Sequence, residues 1–171
     1  DGRRWFCANR HSFDRAAAGY VHLLPANRKH SKDPGDDKDM VAARSAFLDQ
    51  GYYAPLRNAL CGAVLEYLNG CPNPVLADSG CGEGYYTAGL FHALTGEGAA
   101  PEIAGVDLSR FALRRAAKRV PEAEFAVASA YRLPIANGRI NVLTNIFSPL
   151  AIDEFARVLQ PGGLFCYAVP S

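Results

Sequence analysis

The segment that begins at Asp78 has residue types and a spacing suited to binding a nucleotide. Its pattern, Asp78-x-Gly80-x-Gly82-x-Gly84, lies between a short apolar run typical of a buried strand and a run with helical apolar spacing. Glycines keep side chains off such a turn, so that backbone N–H groups can face a ligand at the helix N-terminus. A second predicted strand ends in Asp107, 23 residues after Gly84. At that place a carboxylate can accept hydrogen bonds from both hydroxyls of a ribose.

The acid that opens the pattern indicates which nucleotide would bind. Dinucleotide sites carry Gly-x-Gly-x-x-Gly, and a carboxylate at the end of the first strand would repel a pyrophosphate. Asp78 instead suits a ligand with an ammonium group, and S-adenosyl-L-methionine has an ammonium, a sulfonium and no phosphate. Together with Val106-Asp-Leu-Ser109, the pattern resembles motifs one and two of class I methyltransferases. The alternative is a glycine-rich turn of an α/β domain that holds no cofactor, and the spacing to Asp107 argues against it.

Composition indicates an ordinary globular protein. The chain has 171 residues, of which 49% are hydrophobic and 20% are charged, which is enough for one domain with an appendage. No apolar run approaches the ~20 residues of a membrane span, and no signal peptide pattern opens the chain. The five cysteines include no CxxC pair, which favours free thiols in a reducing compartment. We therefore expect a cytoplasmic protein with no membrane contact.

The charge is unevenly distributed along the chain. Residues 1–32 hold seven Lys or Arg and two Asp, a net charge of +5, whereas the remainder holds 11 basic and 15 acidic residues, a net charge of −4. A basic arm beside a mildly acidic body suits an enzyme with a polyanionic substrate. A solvated basic face explains the charge equally well.

The elements that must position these residues follow from apolar spacing, caps and turns. The prediction has three parts: a basic N-terminal arm (1–32), a linker and helical segment (33–70) and an α/β core (71–171). The first helix is expected over Met40–Gln50 with Asp39 as its cap. A helix begun by Ser109 carries five basic residues, whose simplest interpretation is a solvated face. The other predicted elements are a helix from Pro55 to Gly70, strands Val75–Asp78, Ile103–Asp107, Glu124–Ala128, Ile140–Ile146 and Leu164–Val169, helices Gly84–Leu94 and Ile152–Leu159, a short extended segment Gly19–Pro25, and a tight turn Gln160–Gly163.

Nearly the whole chain, beyond the glycine motif, resembles one family. The segments that carry the resemblance are Cys7–Asp14, Gly19–Pro25, Ser31–Asp36, Met40–Tyr53, Asp78–Thr87, Arg132–Pro134 and Ala156–Gly163. They are similar to the ribosomal large-subunit RNA (guanine-N1)-methyltransferases. Asp33-Pro-Gly-Asp36 followed by Arg44 and Tyr53 is far more specific than the glycine motif, which many unrelated methyltransferases share.

The resemblance implies a fold, a cofactor and partners. The fold is a class I methyltransferase Rossmann-like doubly wound sheet, incomplete at the C-terminus after its fifth strand, with a small partial zinc-finger-like arm. The cofactor is S-adenosyl-L-methionine, the partner is 23S ribosomal RNA and the expected assembly is a homodimer. The residues expected at the cofactor, from the motifs and the resemblance together, are Tyr53, Asp78, Gly80, Cys81, Gly82, Gly84, Tyr86, Thr87, Asp107, Leu108, Ser129 and Ala130.

Zinc is implied only by the N-terminal arm. In the family, a CxxC pair precedes a Cys-x3-His pair, and together they hold the metal. Cys7 and His11 match the second pair, and nothing upstream of them in this sequence supplies the first. Because a closed structural site needs four ligands, Cys7 and His11 would hold Zn²⁺ only together with an upstream pair.

The acceptor base is expected at the end of the fourth core strand, in Asn145-Ile-Phe-Ser-Pro149. Its position resembles that of the Asn-Pro-Pro-Tyr-type segment of methyltransferases that act on exocyclic amines. Asn145 or Ser148 would hydrogen-bond a base edge, and Phe147 would stack on a flipped-out guanine. The alternative is that this strand end only packs against its neighbours and binds no base. The sequence offers no obvious general base.

Two other functions remain open at this point. One is a class I methyltransferase that acts on a small molecule or a protein. The other is a non-catalytic RNA-binding module with a vestigial fold, against which the intact Asp78, glycines and Asp107 argue.

Overall fold

The computed structural model describes residues 4–6, 11–24 and 35–170 of the chain. In chain order its elements are β1 (Arg4–Phe6), β2 (Ser12–Asp14), β3 (Tyr20–His22), α1 (Lys38–Asp49), α2 (Ala54–Leu68), β4 (Val75–Ser79), α3 (Tyr85–Gly96), β5 (Glu102–Asp107), α4 (Arg110–Arg119), β6 (Glu124–Val127), β7 (Ile140–Ile146), α5 (Ile152–Val158) and β8 (Leu159–Ala168). None of the described helices is long and apolar enough to cross a membrane.

Six strands form one parallel sheet in the order β3-β6-β5-β4-β7-β8. From β4 the chain first builds outward through β5 and β6, and it then returns to add β7 and β8 on the other side of β4. The strand order therefore reverses between β4 and β7. In open parallel sheets, ligands bind beyond the carboxyl ends of the strands at such a reversal. The predicted α/β, doubly wound fold is confirmed.

The core lies on both faces of this sheet. Successive strand residues point to opposite faces, so Leu76 of β4 belongs to one apolar cluster and its neighbour Ala77 to the other. The first cluster receives side chains of α2, α3 and α4, including Val64 and Leu113, which are fully buried. The second receives Phe155 of α5. Because both faces are covered, the inner strands have nearly continuous apolar sequences.

Helix α1 begins earlier than its sequence pattern predicted. Asp37, not Asp39, is its N-cap: the Asp37 carboxylate accepts hydrogen bonds from the backbone N–H groups of Asp39 (2.9 Å) and Met40 (2.8 Å). The prediction of Asp39 was wrong because two acidic residues precede the same apolar run, and only the backbone of the preceding segment selects between them. For α4, the predicted start is confirmed, since the Ser109 side chain accepts from the N–H of Ala112 at 3.2 Å.

The predicted turn at 160–163 lies inside β8. The strand begins at Leu159, five residues before the predicted start at Leu164, and its pairing with β7 shifts register between Ile140 and Val142. Residues 160–163 of β8 therefore lie opposite the single residue Asn141 of β7 and form a bulge, in which Gly162 has a φ of +77°. The Tyr67 hydroxyl of α2 donates to the Gly162 carbonyl at 2.8 Å and ties the bulge to the helical layer.

Part of the N-terminal arm joins the core. Strands β1 and β2 form an antiparallel hairpin, with Trp5 opposite Phe13, apart from the main sheet. Strand β3, in contrast, pairs in parallel with β6 and becomes the edge strand of the six-stranded sheet. Its middle residue, Val21, is buried. The arm predicted as a separate unit over residues 1–32 is therefore anchored to the six-stranded sheet by β3.

Candidate cofactor and acceptor site

A cavity of about 460 Å³ opens at the carboxyl ends of β4, β5 and β7, where the strand order reverses. Its lining residues are Gly35, Asp36, Arg44, Phe47, Leu48, Tyr53, Gly80, Cys81, Gly82, Glu83, Tyr85, Tyr86, Val106, Asp107, Leu108, Ala128, Ser129, Ala130, Tyr131, Ile146, Phe147, Ser148 and Pro149. The wall is therefore built from the glycine turn, from the ends of three strands and from the segment around α1.

The glycine turn runs close against its neighbours. Gly80 has a φ of +77°, and a Cβ added there would lie 2.0 Å from the Oγ atom of Ser148. Gly84 has a φ of +80°, and a Cβ there would lie 3.0 Å from the backbone of Ala116 in α4. Both positions therefore need glycine for the backbone conformation and for space. The backbone N–H of Gly80 donates to the Val106 carbonyl at 2.7 Å, which ties the turn to the end of β5.

Asp107 is held rigidly at the cavity wall. Its Oδ1 atom accepts from the N–H of Ser109 at 2.8 Å, and its Oδ2 atom accepts from the N–H of Gly82 at 3.0 Å. Burial raises the pKa of this carboxyl, and the two backbone hydrogen bonds act in the opposite direction. Each oxygen keeps a further lone pair, so the carboxylate can still accept hydrogen bonds from a ligand.

Asp78 lies behind the cavity wall. Its carboxylate is fully buried and accepts from the hydroxyls of Thr87 (2.5 Å) and Thr144 (2.9 Å). The pKa of Asp78 is raised to about 6, because the effect of desolvation outweighs that of the two hydrogen bonds, which lower it. Thus Asp78 and Thr87 join β4, α3 and β7 beneath the glycine turn, and neither lines the cavity.

Three polar groups of the lining have no hydrogen-bond partner within the described residues. They are Oε1 of Glu83 and the hydroxyls of Tyr85 and Tyr86. Glu83 is 2% exposed, and burial raises the pKa of its carboxyl. Buried polar atoms of native proteins are rarely left unpaired, so these groups are suited to pairing with a polar ligand.

The charge of the lining favours a cation. Three carboxylates, of Asp36, Glu83 and Asp107, face a single guanidinium, that of Arg44, which forms an ion pair with Asp36. A ligand with a sulfonium and an ammonium group therefore fits the lining, and a polyphosphate does not. Asp36 and Arg44 were named by the sequence only as a family signature. The specificity of that motif is the signal that could have identified them as site residues.

Phe147 stands at the cavity mouth in an unusual backbone conformation. Its φ is +55°, a region that non-glycine residues rarely adopt, and its N–H donates to the Ala168 carbonyl at 2.8 Å. The side chain is 44% exposed, and its ring meets the ring of Tyr53 edge-on. A strained backbone conformation persists only where the surrounding structure holds it in place. Such conformations are concentrated at functional sites.

Asn145, in contrast, lies outside the cavity lining. Its Nδ2 atom donates to the carbonyls of Ser79 (3.2 Å) and Pro149 (3.3 Å), and the residue is fully buried. It therefore holds the 145–149 segment against the end of β4. Ser148 from the same segment does line the cavity.

Eleven of the residues predicted for the site line this one cavity, namely Tyr53, Gly80, Cys81, Gly82, Tyr86, Asp107, Leu108, Ser129, Ala130, Phe147 and Ser148. Asp78, Gly84, Thr87 and Asn145 lie outside the lining and support it. Glu83, within the glycine motif, and Tyr85, directly after it, were not predicted as site residues. Phe47 was predicted only as part of the family segment Met40–Tyr53.

The predicted metal ligands are only partly described. Cys7 lies outside the described residues, and His11 is exposed. No group of three or more His, Cys, Asp or Glu side chains able to hold a metal ion occurs within residues 4–6, 11–24 and 35–170. Cys7 and His11 supply two of the four ligands that a structural zinc site needs, so these residues alone do not fit a closed site.

Two family models match the chain. Residues 76–163 match the model described as "Methyltransferase domain", and residues 1–32 match the zinc-ribbon model described as "RlmA, N-terminal". The first match spans β4 to the bulge of β8 and therefore includes the glycine turn, Asp107 and the 145–149 segment.

Curated relatives match almost the whole chain. The 23S rRNA (guanine(748)-N(1))-methyltransferase of Streptomyces fradiae is 37% identical over 166 residues, which cover 96% of this chain and 56% of that protein. A relative from Micromonospora griseorubida is 37% identical over 180 residues, which cover 96% of this chain and 58% of that protein. The chain thus spans somewhat more than half the length of these relatives.

Solved structures share the fold. A structure from Methanococcus maripaludis superposes with a TM-score of 0.64 at 16% identity, covering 82% of this chain and 68% of that chain. Geranyl diphosphate C-methyltransferase from Streptomyces coelicolor superposes with a TM-score of 0.54 at 20% identity, covering 78% of this chain and 49% of that chain. With this fold, this cavity and the two matched models, the chain belongs to the methyltransferase-domain family and carries an N-terminal segment of the RlmA type.

Proposed function

We propose that this protein transfers a methyl group from S-adenosyl-L-methionine to N1 of a guanine in a 23S ribosomal RNA hairpin loop. The observation that carries the cofactor half is the acid-rich cavity at the glycine turn, with Asp107 fixed in its wall. The acceptor half rests on the 37% identity to the Streptomyces fradiae enzyme, which is named for that reaction.

The cofactor's ribose is assigned to Asp107 and its adenine to the side of Leu108, Ser129 and Ala130. Asp107 is oriented by two backbone N–H groups, so it can accept hydrogen bonds from ribose hydroxyls without first reorganising. Glu83 and the hydroxyls of Tyr85 and Tyr86 are assigned to the polar groups of the methionine part. Their lack of partners within the described residues supports this assignment.

Asp78, Thr87 and Asn145 act as positioning residues in this proposal. Asp78 is bonded to two threonine hydroxyls and Asn145 to two carbonyls, so each holds a loop of the site from behind. The glycine turn and the 145–149 segment meet where Gly80 approaches Ser148. Their relative position therefore depends on these buried bonds.

Phe147 is the residue proposed to stack on the target guanine, and Ser148 is the one proposed to hydrogen-bond its edge. The Phe147 ring is exposed at the cavity mouth and is backed by Tyr53, which gives a flat surface for a base. A looped-out base needs little unstacking energy to reach it.

The reaction is a displacement at the methyl carbon. S-adenosyl-L-methionine supplies an electrophilic methyl group on a sulfonium. With S-adenosyl-L-methionine held at Asp107 and Glu83, the N1–C bond would form as the C–S bond of the donor breaks, the electron pair would pass to sulfur, and the N1 proton would pass to solvent. Holding N1 in line with the methyl carbon supplies much of the acceleration as effective concentration. In this proposal Phe147 fixes the position of the base by stacking, and Asp107 fixes the position of the donor by binding its ribose.

The N-terminal arm is proposed to recognise RNA. It combines Arg4 with the exposed rings of Trp5 and Phe6 on β1, and aromatic stacking with phosphate contacts is how proteins grip unpaired RNA. A zinc ion held through Cys7 and His11 with an upstream ligand pair would shape this arm and take no part in transfer. The cytoplasm as the site of action and the homodimer remain predictions that follow from the ribosomal substrate and the resemblance.

Three measurements test the proposal in sequence. Calorimetry first tests cofactor binding by the protein. Transfer of a radiolabelled methyl group to total RNA, total protein or small molecules then separates the acceptor classes. Finally, primer extension on ribosomal RNA from a strain that lacks the gene reports the position, because N1-methylguanine blocks the Watson–Crick edge. The reverse-transcription stop should disappear in the deletion strain and return on complementation. A persistent stop, with label lost from transfer RNA or protein, contradicts the ribosomal acceptor and leaves the cofactor site standing.

A further inference from the structure

Helix α4 has a strongly basic outer face. Five of its ten residues are Arg or Lys and none is Asp or Glu. Its inner face, formed by Ala112, Leu113, Ala116 and Ala117, packs against the sheet. The basic residues are Arg110, Arg114, Arg115, Lys118 and Arg119, and all but the half-buried Arg119 are exposed.

This charge costs the helix stability. Arg114 and Lys118 are four residues apart, as are Arg110 and Arg114, and like charges at that spacing repel each other on a helix surface. Arg110 also lies in the first turn, where the helix dipole disfavours a cation. A face that served only solubility would normally alternate acidic and basic residues and gain from the pairs. Lys118 and Arg119 lie in the last turn, where the helix dipole favours a cation, so the fold accounts for these two charges and not for Arg110, Arg114 and Arg115.

Only part of the charge is neutralised by neighbours. Arg119 forms an ion pair with Asp49 of α1 at 3.0 Å. Arg114, Arg115 and Lys118 form no ion pair with any residue in the part of the chain that the structure describes. Their three cations are therefore available to a partner.

The basic face connects the cavity with the N-terminal arm. Helix α4 starts two residues after Leu108, which lines the cavity. A helix rises about 1.5 Å per residue, so Lys118 lies about 12 Å from the start of α4. At that far end the arm packs on the helix, since a Cβ added at Gly19 would lie 3.3 Å from the Cβ of Ala117. Arg15 of the arm reaches Glu124 of β6 at 3.8 Å.

We propose that Arg114, Arg115 and Lys118 on α4 form a phosphate-binding surface that holds the RNA strand between the N-terminal arm and the cavity. This inference rests on the proposed function, which makes RNA the substrate. The three side chains are exposed cations, and the apolar residues Leu113, Ala116 and Ala117 of the same helix face the core. The surface therefore suits a phosphate backbone, which needs charges along a line, better than it suits a folded acidic protein, whose interface needs an apolar centre.

The test compares RNA binding by three forms of the protein. The first is the wild type, the second is R114Q/R115Q/K118Q, and the third is R114K/R115K/K118R, which keeps all three charges. Binding of a fluorescently labelled 23S-derived hairpin is followed by anisotropy over a series of salt concentrations. The neutral variant should bind the hairpin at least tenfold more weakly at low salt. Its slope of log K against log salt should be smaller by about two to three, because each lost phosphate contact removes about 0.7–0.9.

Two controls separate this effect from misfolding and from general charge loss. R139Q removes a cation outside α4, directly before β7, where Arg139 pairs with Glu102 at 3.4 Å, and it should change the slope by less than one phosphate contact. Thermal unfolding of R114Q/R115Q/K118Q should occur within a few degrees of the wild-type temperature, because relief of like-charge repulsion within α4 offsets the lost interaction of Lys118 with the helix dipole. Cofactor affinity should stay at the wild-type value in all of these variants.

An unchanged hairpin affinity and slope in R114Q/R115Q/K118Q would overturn the inference. So would equally tight binding of poly-glutamate and hairpin by the wild type at the same salt, since the surface would then bind any polyanion. A wild type that binds the hairpin through α4 but methylates no guanine N1 contradicts the proposed function and not this surface. The two failures are therefore distinguishable.

Discussion

The ring of Tyr53 meets the ring of Phe147 edge-on, with centroids 5.5 Å apart. Tyr53 is the N-cap of α2, and Phe147 follows the end of β7, so this contact joins two distant segments at the cavity mouth. On its other side Tyr53 contacts Phe47 of α1, with centroids 5.9 Å apart. The segment before the core therefore supports the residue to which we assign the acceptor base.

This contact predicts energetic coupling between Tyr53 and Phe147. In a double-mutant cycle of Tyr53→Ala and Phe147→Ala, the coupling in the free energy of unfolding should be about 0.5–1.5 kcal/mol, the usual range for an aromatic pair. Urea unfolding of the four proteins measures it. Additivity within error would mean that the two rings do not support each other in solution.

Substitution of Phe147 should separate the strain from the function. Phe147→Gly relieves the positive φ and Phe147→Ala does not, so the glycine variant should be the more stable of the two by about 1 kcal/mol. Both should transfer methyl groups to RNA about 10- to 100-fold more slowly, because one base–aromatic stack is lost, while cofactor affinity is retained. Tyr167→Ala, an exposed aromatic on β8 outside the cavity lining, is the control. Normal transfer by Phe147→Ala would remove this residue from the acceptor site.

Asp107 is predicted to contribute directly to cofactor affinity. Asp107→Ala removes a charge-assisted hydrogen bond to the ribose and should weaken binding by about 1.5–3 kcal/mol, measured by calorimetry. Asp107→Asn keeps much of the shape and some acceptor capacity and should lose less. Glu102→Ala, at the exposed opposite end of the same strand, should bind the cofactor normally. An unchanged dissociation constant for Asp107→Ala would reject the assignment of the ribose.

The buried Asp78 predicts a pH dependence of stability. Burial raises its pKa in the folded protein to about 6 from the ordinary 3.8. The folded state thus binds the proton more tightly than the unfolded chain does. The contribution of this group to stability is therefore full below pH 3.8 and is lost as the pH rises to about 6. The shift corresponds to a change on the order of 3 kcal/mol.

Denaturant unfolding between pH 4 and pH 7 tests this contribution of Asp78. The free energy of unfolding of Asp78→Asn should fall less with rising pH than that of the wild type. Glu83 and Asp107 also have raised pKa values, so only the difference between the two proteins isolates Asp78. Parallel curves for the wild type and Asp78→Asn would contradict the prediction.

Arg157 is predicted to be a stability residue of the loop before β7. Its guanidinium donates to the carbonyls of Ile135 (2.8 Å) and Leu133 (3.1 Å) and to the Glu154 carboxylate (2.7 and 2.8 Å). The same carboxylate accepts from the Leu133 N–H at 2.5 Å. Arg157→Ala should lower the free energy of unfolding by about 2 kcal/mol, since several partly buried bonds are lost together. Arg139→Ala, which breaks an exposed pair, should cost less than about 0.5 kcal/mol. Equal effects would show that the Arg157 network adds nothing.

The sequence by itself determined the features that depend on local backbone demands. The glycine turn at 80–84 and the carboxylate of Asp107 at a strand end could be predicted because their spacing allows little else within a strand–turn–helix unit. The cap at Ser109 and most strand bounds followed in the same way, since β-strand and helix periods are local properties. The basic charge of α4 was visible too, although its absence of neutralising partners was not.

Only the tertiary structure decided which way the buried polar residues face and what the distant segments add to the site. Asp78, Thr87 and Asn145 were predicted at the ligand, yet they lie behind the wall, because a residue's place in a motif does not give the face its side chain takes in a packed sheet. Asp36 is held beside the cavity by the hydroxyl of Ser109, the N-cap of α4, which donates to the Asp36 carbonyl at 2.6 Å across 73 positions of sequence, and Arg44 pairs with Asp36. Likewise, β3 joins the sheet through pairing with β6, more than a hundred residues away. Such contacts depend on the closure of long loops and on partners remote in the chain, which local patterns cannot specify.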